Sequence, residues 1–379
     1  ILRDPEIPDC VTRKPGPFWR NDWVNRQFMH SETDMPQYKT MQSGMEFIRQ
    51  NMTEDKWFLQ IETFDPHEPF FTMEHYKSLY PHAYQGRHFD WPPYMPVTES
   101  PEEVEHARYE FAALMTMCDH YLGEVLNLMD EFDMWKDTML IVNTDHGWLL
   151  GEHDWWGKCT APFYNEVAQT PLFIWDPRSR ARGVRRKALV QTIDLAPTIL
   201  RFFGQKVPQD MQGFDLEQTI AEDKPVREAG LFGIFGGQVN ITDGRYVYMR
   251  APNEDAGGNP YAGPNLYNYT LMPTHISSFF SLDELRTASL AAPFSFTKGV
   301  PVLKTSGEIK LSGTPEGKKP TFVRYRTELF DLEQDPEQKH PIQDPETEER
   351  LIRQMVALMQ QNDAPAEQYR RLGLEEYIK

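Results

Sequence analysis

The stretch Thr138–Lys158, TMLIVNTDHGWLLGEHDWWGK, decides how the rest of the chain is read. It passes from an apolar run of strand length directly into Asp145-His146-Gly147, and then through Glu152, His153 and Asp154 to Lys158. Neighbouring side chains on a strand point to opposite faces, so an Asp and a His that serve one target must stand just beyond it, where Gly147 permits a turn. The loop beyond the C-terminal end of a strand is where α/β sheets bind ligands. A carboxylate beside an imidazole at that place is half of a divalent-metal site. Two donors are too few to hold an ion, so others must come from elsewhere. The residues alone also allow a plainer arrangement, in which Asp145 caps a turn, His146 packs and Lys158 is a solvated surface cation.

Working outward, TPLFIW (Thr170–Trp175) and KWFLQIETF (Lys56–Phe64) read as further buried strands, the latter ending in DPHEPF, where two prolines stop regular structure. Tyr38, Met41, Met45, Ile48 and Met52 step by threes and fours, as on an amphipathic helix. Ala107, Phe111, Leu114, Cys118, Leu122, Val125 and Met129 mark a long one. QTIDLAPTILRFFG (Gln191–Gly204) predicts another, closed by its Gly. Strands alternating with helices predict an α/β sheet flanked by helices on both faces. Residues 1–33 read as irregular. Past Pro225 the texture becomes antiparallel: GQVNITDGRYVYMR (Gly237–Arg250) is a hairpin turning at Asp243-Gly244. RYRTELFDLEQDPEQ (Arg324–Gln338) holds one more strand, and Leu351, Met355 and Leu358 mark a terminal helix. The stretch Asn253–Gly317 reads as loop. The expectation is a larger α/β part over 1–224 and a smaller antiparallel α+β subdomain over 225–379.

The composition narrows the function classes. Forty per cent of the 379 residues are hydrophobic and 13% aromatic, enough for a sizeable core. A formal net charge of −18 argues against a nucleic-acid partner but leaves anionic small substrates open, since a site's field can differ from the global charge. No apolar run approaches the roughly 20 residues of a membrane span. Three widely spaced cysteines, Cys10, Cys118 and Cys159, give neither a disulfide framework nor a zinc pattern, and this usage leans toward the cytoplasm. The run RSRARGVRRK (Arg178–Lys187) reads as a solvated loop rather than an anion site. His67 alone reads as a structural histidine at a strand's end, and His153 as a brace within its loop.

Taken jointly, these fragments say more. PHEPF, TDHGxxLGEHxxWGK, Tyr164 and Glu166, TPLFIWDP, IDLAPTIL and ELFDLEQDP, in this order and spacing, closely resemble the sulfatase family of the alkaline-phosphatase superfamily over about residues 34–340. The resemblance implies an alkaline-phosphatase-like α/β sheet. It implies that Asp145 and His146 are metal ligands, usually to Ca2+. It also implies that His67 and Lys158 are catalytic and bind the sulfate group of a sulfate-ester substrate. The physics agrees: a sulfate ester gains negative charge as its S–O bond breaks, fixed cations stabilise that charge, and His67 can protonate the leaving oxygen.

The departures from the pattern are as specific. Family members open with a strand ending in Asp-Asp, then carry Cys-x-Pro-Ser-Arg, whose Cys becomes the nucleophilic formylglycine, then Gly-Lys-x-His. None of these occurs here, and Cys10 in CVTRKP has an Arg three positions on with no Pro in between. The expectation is therefore the C-terminal portion of a sulfatase, its sheet incomplete at the N-terminus. The nucleophile would come from a missing N-terminal segment of the same protein, and this chain alone would be inactive. Two alternatives stand beside it. One is a phosphonate monoester or phosphodiester hydrolase of the same superfamily, with Mn2+ or another transition metal; the other is a non-catalytic homologue.

Overall fold

The computed structural model describes residues 7–8, 11, 17–253, 265–274, 279–307 and 325–378. Cys10 lies outside them. The fold is mixed α/β and consists of two compact units. One is Ile1–Leu140 with Leu149–Gly157; the other is Ile141–Trp148 with Lys158–Lys379.

The first unit is built on the helix Pro101–Glu131. Its start is fixed by a capping box: Ser100 Oγ accepts the Glu103 N–H (3.3 Å), and the Glu103 carboxylate accepts the Ser100 N–H (3.0 Å). Along the expected stripe Ala107, Leu114, Val125 and Met129 are buried, while Phe111, Cys118 and Leu122 are half-buried. Burial, with the charge of Asp65 adding to it, pushes the Cys118 thiol up to about 12, so this cysteine packs rather than reacts. The helix Pro36–Asn51 lies alongside, burying Met41, Gly44, Met45 and Ile48.

Two expectations fail in this unit. Residues 1–33 were read as irregular, yet Pro17–Arg26 is a helix. Trp19 and Trp23 are buried one turn apart, and the Arg26 guanidinium lies over both Trp23 and Phe71 (4.7 Å each) while pairing with Asp22 and Asp90. Lys56–Phe64, read as a buried strand, joins no strand ladder among the described residues. Its exposure alternates residue by residue, as in extended chain, leaving Phe58 and Phe64 59% and 63% exposed. Beyond it, Leu149–Leu150 pairs antiparallel with Trp156–Gly157. Trp156 is fully buried against Phe89 and Ala107 and donates its indole N–H to Glu99 (2.9 Å).

The strand Leu140–Asn143, most of which lies in the second unit, pairs with Leu172–Trp175 in a two-stranded sheet. Both segments were expected as strands, but they are partly exposed rather than buried, with Phe173 at 67%. The segment from Thr192 runs through a 3-10 turn into the helix Leu195–Phe202. Asp194 at this junction is fully buried. Its carboxylate accepts the N–H groups of Gln191 (2.8 Å) and Phe214 (2.9 Å) and pairs bidentately with Arg227.

The antiparallel part of this unit is a four-stranded sheet in the order Glu328–Asp331, Tyr246–Arg250, Val239–Thr242, Gly230–Gly233. The hairpin register runs from Val239 opposite Arg250 to Thr242 opposite Val247. Its Asp243 carboxylate accepts the N–H groups of Arg245 and Tyr246 and so closes the expected turn. Ile241 and Tyr248 pack with Leu351, Met355 and Met359 of the helix Pro345–Gln361. Asn253–Gly317, read as loop, contains a second antiparallel sheet: Val302–Ser306 lies between Tyr267–Thr270 and Ser289–Ala291. Those strands are short and mix polar with apolar residues, so no clean two-residue alternation announced them.

Candidate active site

Because the strand ends at Asn143, Asp145 and His146 both stand in the loop beyond it. The Asp145 side chain is 79% exposed. Its Oδ1 accepts the His146 backbone N–H (2.9 Å) and the Thr144 hydroxyl (3.3 Å). What burial there is opposes ionisation, but the His146 N–H and the nearby imidazole outweigh it and hold this carboxyl below its usual range. His146 Nδ1 lies 3.0 Å from the Gly147 carbonyl, and Nε2 lies 3.2 Å from Asp145 Oδ2. Once a cation takes the place of the proton on Nε2, and with the Nδ1 proton donated to that carbonyl, Nε2 offers its lone pair beside a carboxylate oxygen. Two electron-pair donors held this close suit a shared cation.

Gly147 matters here for a different reason from the one its sequence suggested. It does not adopt a left-handed φ. Its N–H donates to the Val167 carbonyl (2.9 Å), and a Cβ at this position would lie 1.8 Å from the Glu166 carbonyl oxygen. The absent side chain lets the Asp-His loop lie against the Asn165–Ala168 turn of helix.

Lys158 is half-buried, its ammonium 5.5 Å from the centroid of the Trp148 ring. A cation seated beside an indole is not the fully solvated surface lysine of the plainer reading. Nearby in sequence, burial and the charges of Glu328 and Glu166 push the Tyr164 hydroxyl up to about 12. In the Arg-rich run, Arg180, Arg182 and Arg185 are exposed as expected of a solvated loop. Arg178 and Arg186 are structural instead: Arg178 pairs with buried Asp176, and Arg186 donates to the carbonyls of Ile220 and Ala221.

His67 belongs to the first unit, where its ring face and its Nδ1 are both held. Phe64 stacks on its ring (4.4 Å, 30°), and Nδ1 lies 2.7 Å from the Glu68 carbonyl and 3.1 Å from Glu68 Oε2. Glu68 is 3% exposed, and its Oε1 accepts the Tyr94 hydroxyl (2.5 Å). Desolvation pushes the neighbouring Asp65 carboxyl up to about 6. Glu68 escaped the sequence reading because nothing local marks a Glu between His and Pro as buried. Its partner Tyr94 lies 26 positions away. His153 sits in the turn between Leu150 and Trp156 with a φ of 53°.

Among the described residues no group of three or more His, Cys, Asp or Glu is placed to hold a metal ion. Asp145 and His146 therefore fit a divalent cation as two of its donors, not as a complete set. No helix among the described residues is long and apolar enough to cross a membrane.

Comparison with known proteins gives this geometry its context. A family model described as Sulfatase matches residues 11–205, just over half of the chain. An arylsulfatase of Clostridium perfringens is 24% identical over 227 residues, which cover 53% of this chain and 45% of that protein. The multifunctional alkaline phosphatase superfamily protein PehA of Trinickia caryophylli is 29% identical over 199 residues, 45% of this chain and 38% of its own length. The chain thus matches less than half the length of these two relatives. Among solved structures, yidJ from Bacteroides fragilis superposes with a TM-score of 0.58 at 17% identity, covering 89% of this chain and 61% of that one. The motif order, the Asp145-His146 loop and the family match converge: the chain belongs to the sulfatase family of the alkaline-phosphatase superfamily.

Proposed function

We propose that the chain is part of a sulfuric ester hydrolase. The observation that carries this reading is the donor pair Asp145 Oδ2 and His146 Nε2, 3.2 Å apart at the end of a strand. Asp145 and His146 would hold a divalent cation, most simply Ca2+, which when bound supplies positive charge to the sulfate oxygens. Lys158 binds the same anionic group as a compact charge. His67 donates a proton to the ester oxygen as the S–O bond breaks and its electron pair passes to that oxygen. The nucleophile, by family resemblance a hydrated formylglycine whose oxygen bonds to sulfur, has no matching motif in these 379 residues. It would come from an N-terminal segment of the same protein. Residues 1–224 would form the catalytic part and 225–379 the subdomain that shapes the pocket.

Asp145→Ala in the full-length protein tests this. Elemental analysis is expected to show loss of the bound cation, and turnover of 4-nitrophenyl sulfate to fall to near background. Unchanged metal content would remove the pair from the metal site. One second reading is kept, hydrolysis of phosphonate monoesters or phosphodiesters, since PehA is a multifunctional protein of the alkaline phosphatase superfamily. Parallel assays on aryl sulfates and aryl phosphate diesters separate the two by their kcat/KM values.

A further inference from the structure

Buried carboxylates need partners, and Glu68 has an unusual set. One oxygen accepts the Tyr94 hydroxyl (2.5 Å), while the other, Oε2, takes no hydrogen bond yet stands 3.1 Å from His67 Nδ1. The side chain is 4% exposed, whereas that of His67 is 32% exposed. Tyr94 is itself placed by Gly157: this residue has a φ of +100°, and a Cβ on it would lie 2.8 Å from the tyrosine ring. A tyrosine and a buried carboxylate thus stand in line behind one nitrogen of the imidazole.

We propose that Glu68, clamped by Tyr94, is the positioning residue for His67 in ester cleavage. The assignment rests on the reading of His67 as the group that protonates the leaving oxygen. The Glu68 carbonyl and carboxylate together keep the ring proton on Nδ1, which assigns Nε2 to the leaving oxygen. The carboxylate also compensates the charge of the imidazolium, whose Nε2 proton is the one transferred. Phe64, stacked on the ring, restricts its rotation. A merely structural Glu68 would affect all substrates alike. A positioning Glu68 matters most where the leaving oxygen most needs a proton.

The test is steady-state kinetics of the full-length protein on phenyl sulfate, a poor leaving group, and 4-nitrophenyl sulfate, a good one. Glu68→Gln preserves shape but removes the charge. It is expected to lower kcat about 30-fold on phenyl sulfate and about threefold on 4-nitrophenyl sulfate, with KM little changed. Tyr94→Phe should show the same slope with a smaller loss, and it carries the test should Glu68→Gln fail to fold. Adding Glu68→Gln to His67→Ala should cost nothing more. Losses in Glu68→Gln or Tyr94→Phe that are equal for both substrates, beside a His67→Ala variant that loses more on phenyl sulfate than on 4-nitrophenyl sulfate, overturn the assignment of Glu68 alone. A His67→Ala variant whose loss is equal on the two substrates overturns the reading of His67 beneath it.

Discussion

At the scale of single residues, the surroundings of Lys158 bear on the role proposed for it. An ammonium half-buried beside an indole meets an anion with less competing water than one on an open surface, so its charge counts for more. Lys158→Ala in the full-length protein is expected to lower kcat/KM by a factor on the order of 10² to 10³ while leaving the metal content intact. Lys158→Arg should rescue poorly, because a planar fork does not fill the place of a compact ammonium. Near-normal kinetics for the alanine variant would take Lys158 out of the site. Asp145, His146, Lys158 and His67 could be proposed from the sequence because each stands in a short motif of fixed spacing. Glu68 could not, since its burial and its contact with Tyr94 are products of folding. The reason for Gly147 was equally hidden: it answers to a carbonyl oxygen 19 residues along the chain, not to its own φ.

Among the elements, the junction at Asp194 carries a buried charge pair that the sequence presented only as the start of a helix. The carboxylate is fully buried and takes two backbone N–H groups besides Arg227, whose side chain is 7% exposed. Neutralising one member leaves the other charge buried without compensation. Asp194→Asn is expected to cost about 3–5 kcal/mol in denaturant unfolding. Asp215→Asn, which removes a looser partner of Arg201 (3.9 Å, with the Arg 53% exposed), should cost less than about 1 kcal/mol. Similar losses in the two variants would refute the distinction. Helices were the more readable elements because a 3.6-residue apolar rhythm survives over many turns, as in Pro101–Glu131. The strands Tyr267–Thr270 and Val302–Ser306 span too few residues for a rhythm to emerge. The helix Pro17–Arg26 escaped because its buried residues are two tryptophans and a single aliphatic, Val24, too few for an aliphatic repeat.

At the scale of the whole molecule, two carboxylates of the first unit couple folding to pH in opposite directions. Burial raises Asp65 from its ordinary 3.8 to about 6, so the folded state holds this proton more tightly than the unfolded chain does. That contribution is full below about pH 4 and is lost as pH rises through about 6. Asp90 is the reverse case. Burial alone would raise it, but His88 and Arg26 hold it well below the usual range. Its contribution is present above about pH 4 and is lost as pH falls. Across pH 4 to 6, Asp65→Asn should remove a pH-dependent loss on the order of 2–3 kcal/mol. Thermal melts of both proteins across that window check this; parallel curves would discount Asp65.

The extended stretch Lys56–Phe64 bears on how the protein behaves as a colloid. It exposes Phe58 and Phe64 along a nonapeptide of strong β-propensity whose backbone pairs with no strand among the described residues, so a second molecule can align on it. Opposing this is a net charge of −18, whose long-range repulsion keeps copies apart only while it is unscreened. At about 0.1 M salt the repulsion reaches only about 10 Å. Light scattering of the purified chain should therefore rise with added salt, and Phe58→Lys should suppress the rise by setting a charge on the sticky face. A variant that scatters as strongly as the parent would shift the origin of self-association to another surface.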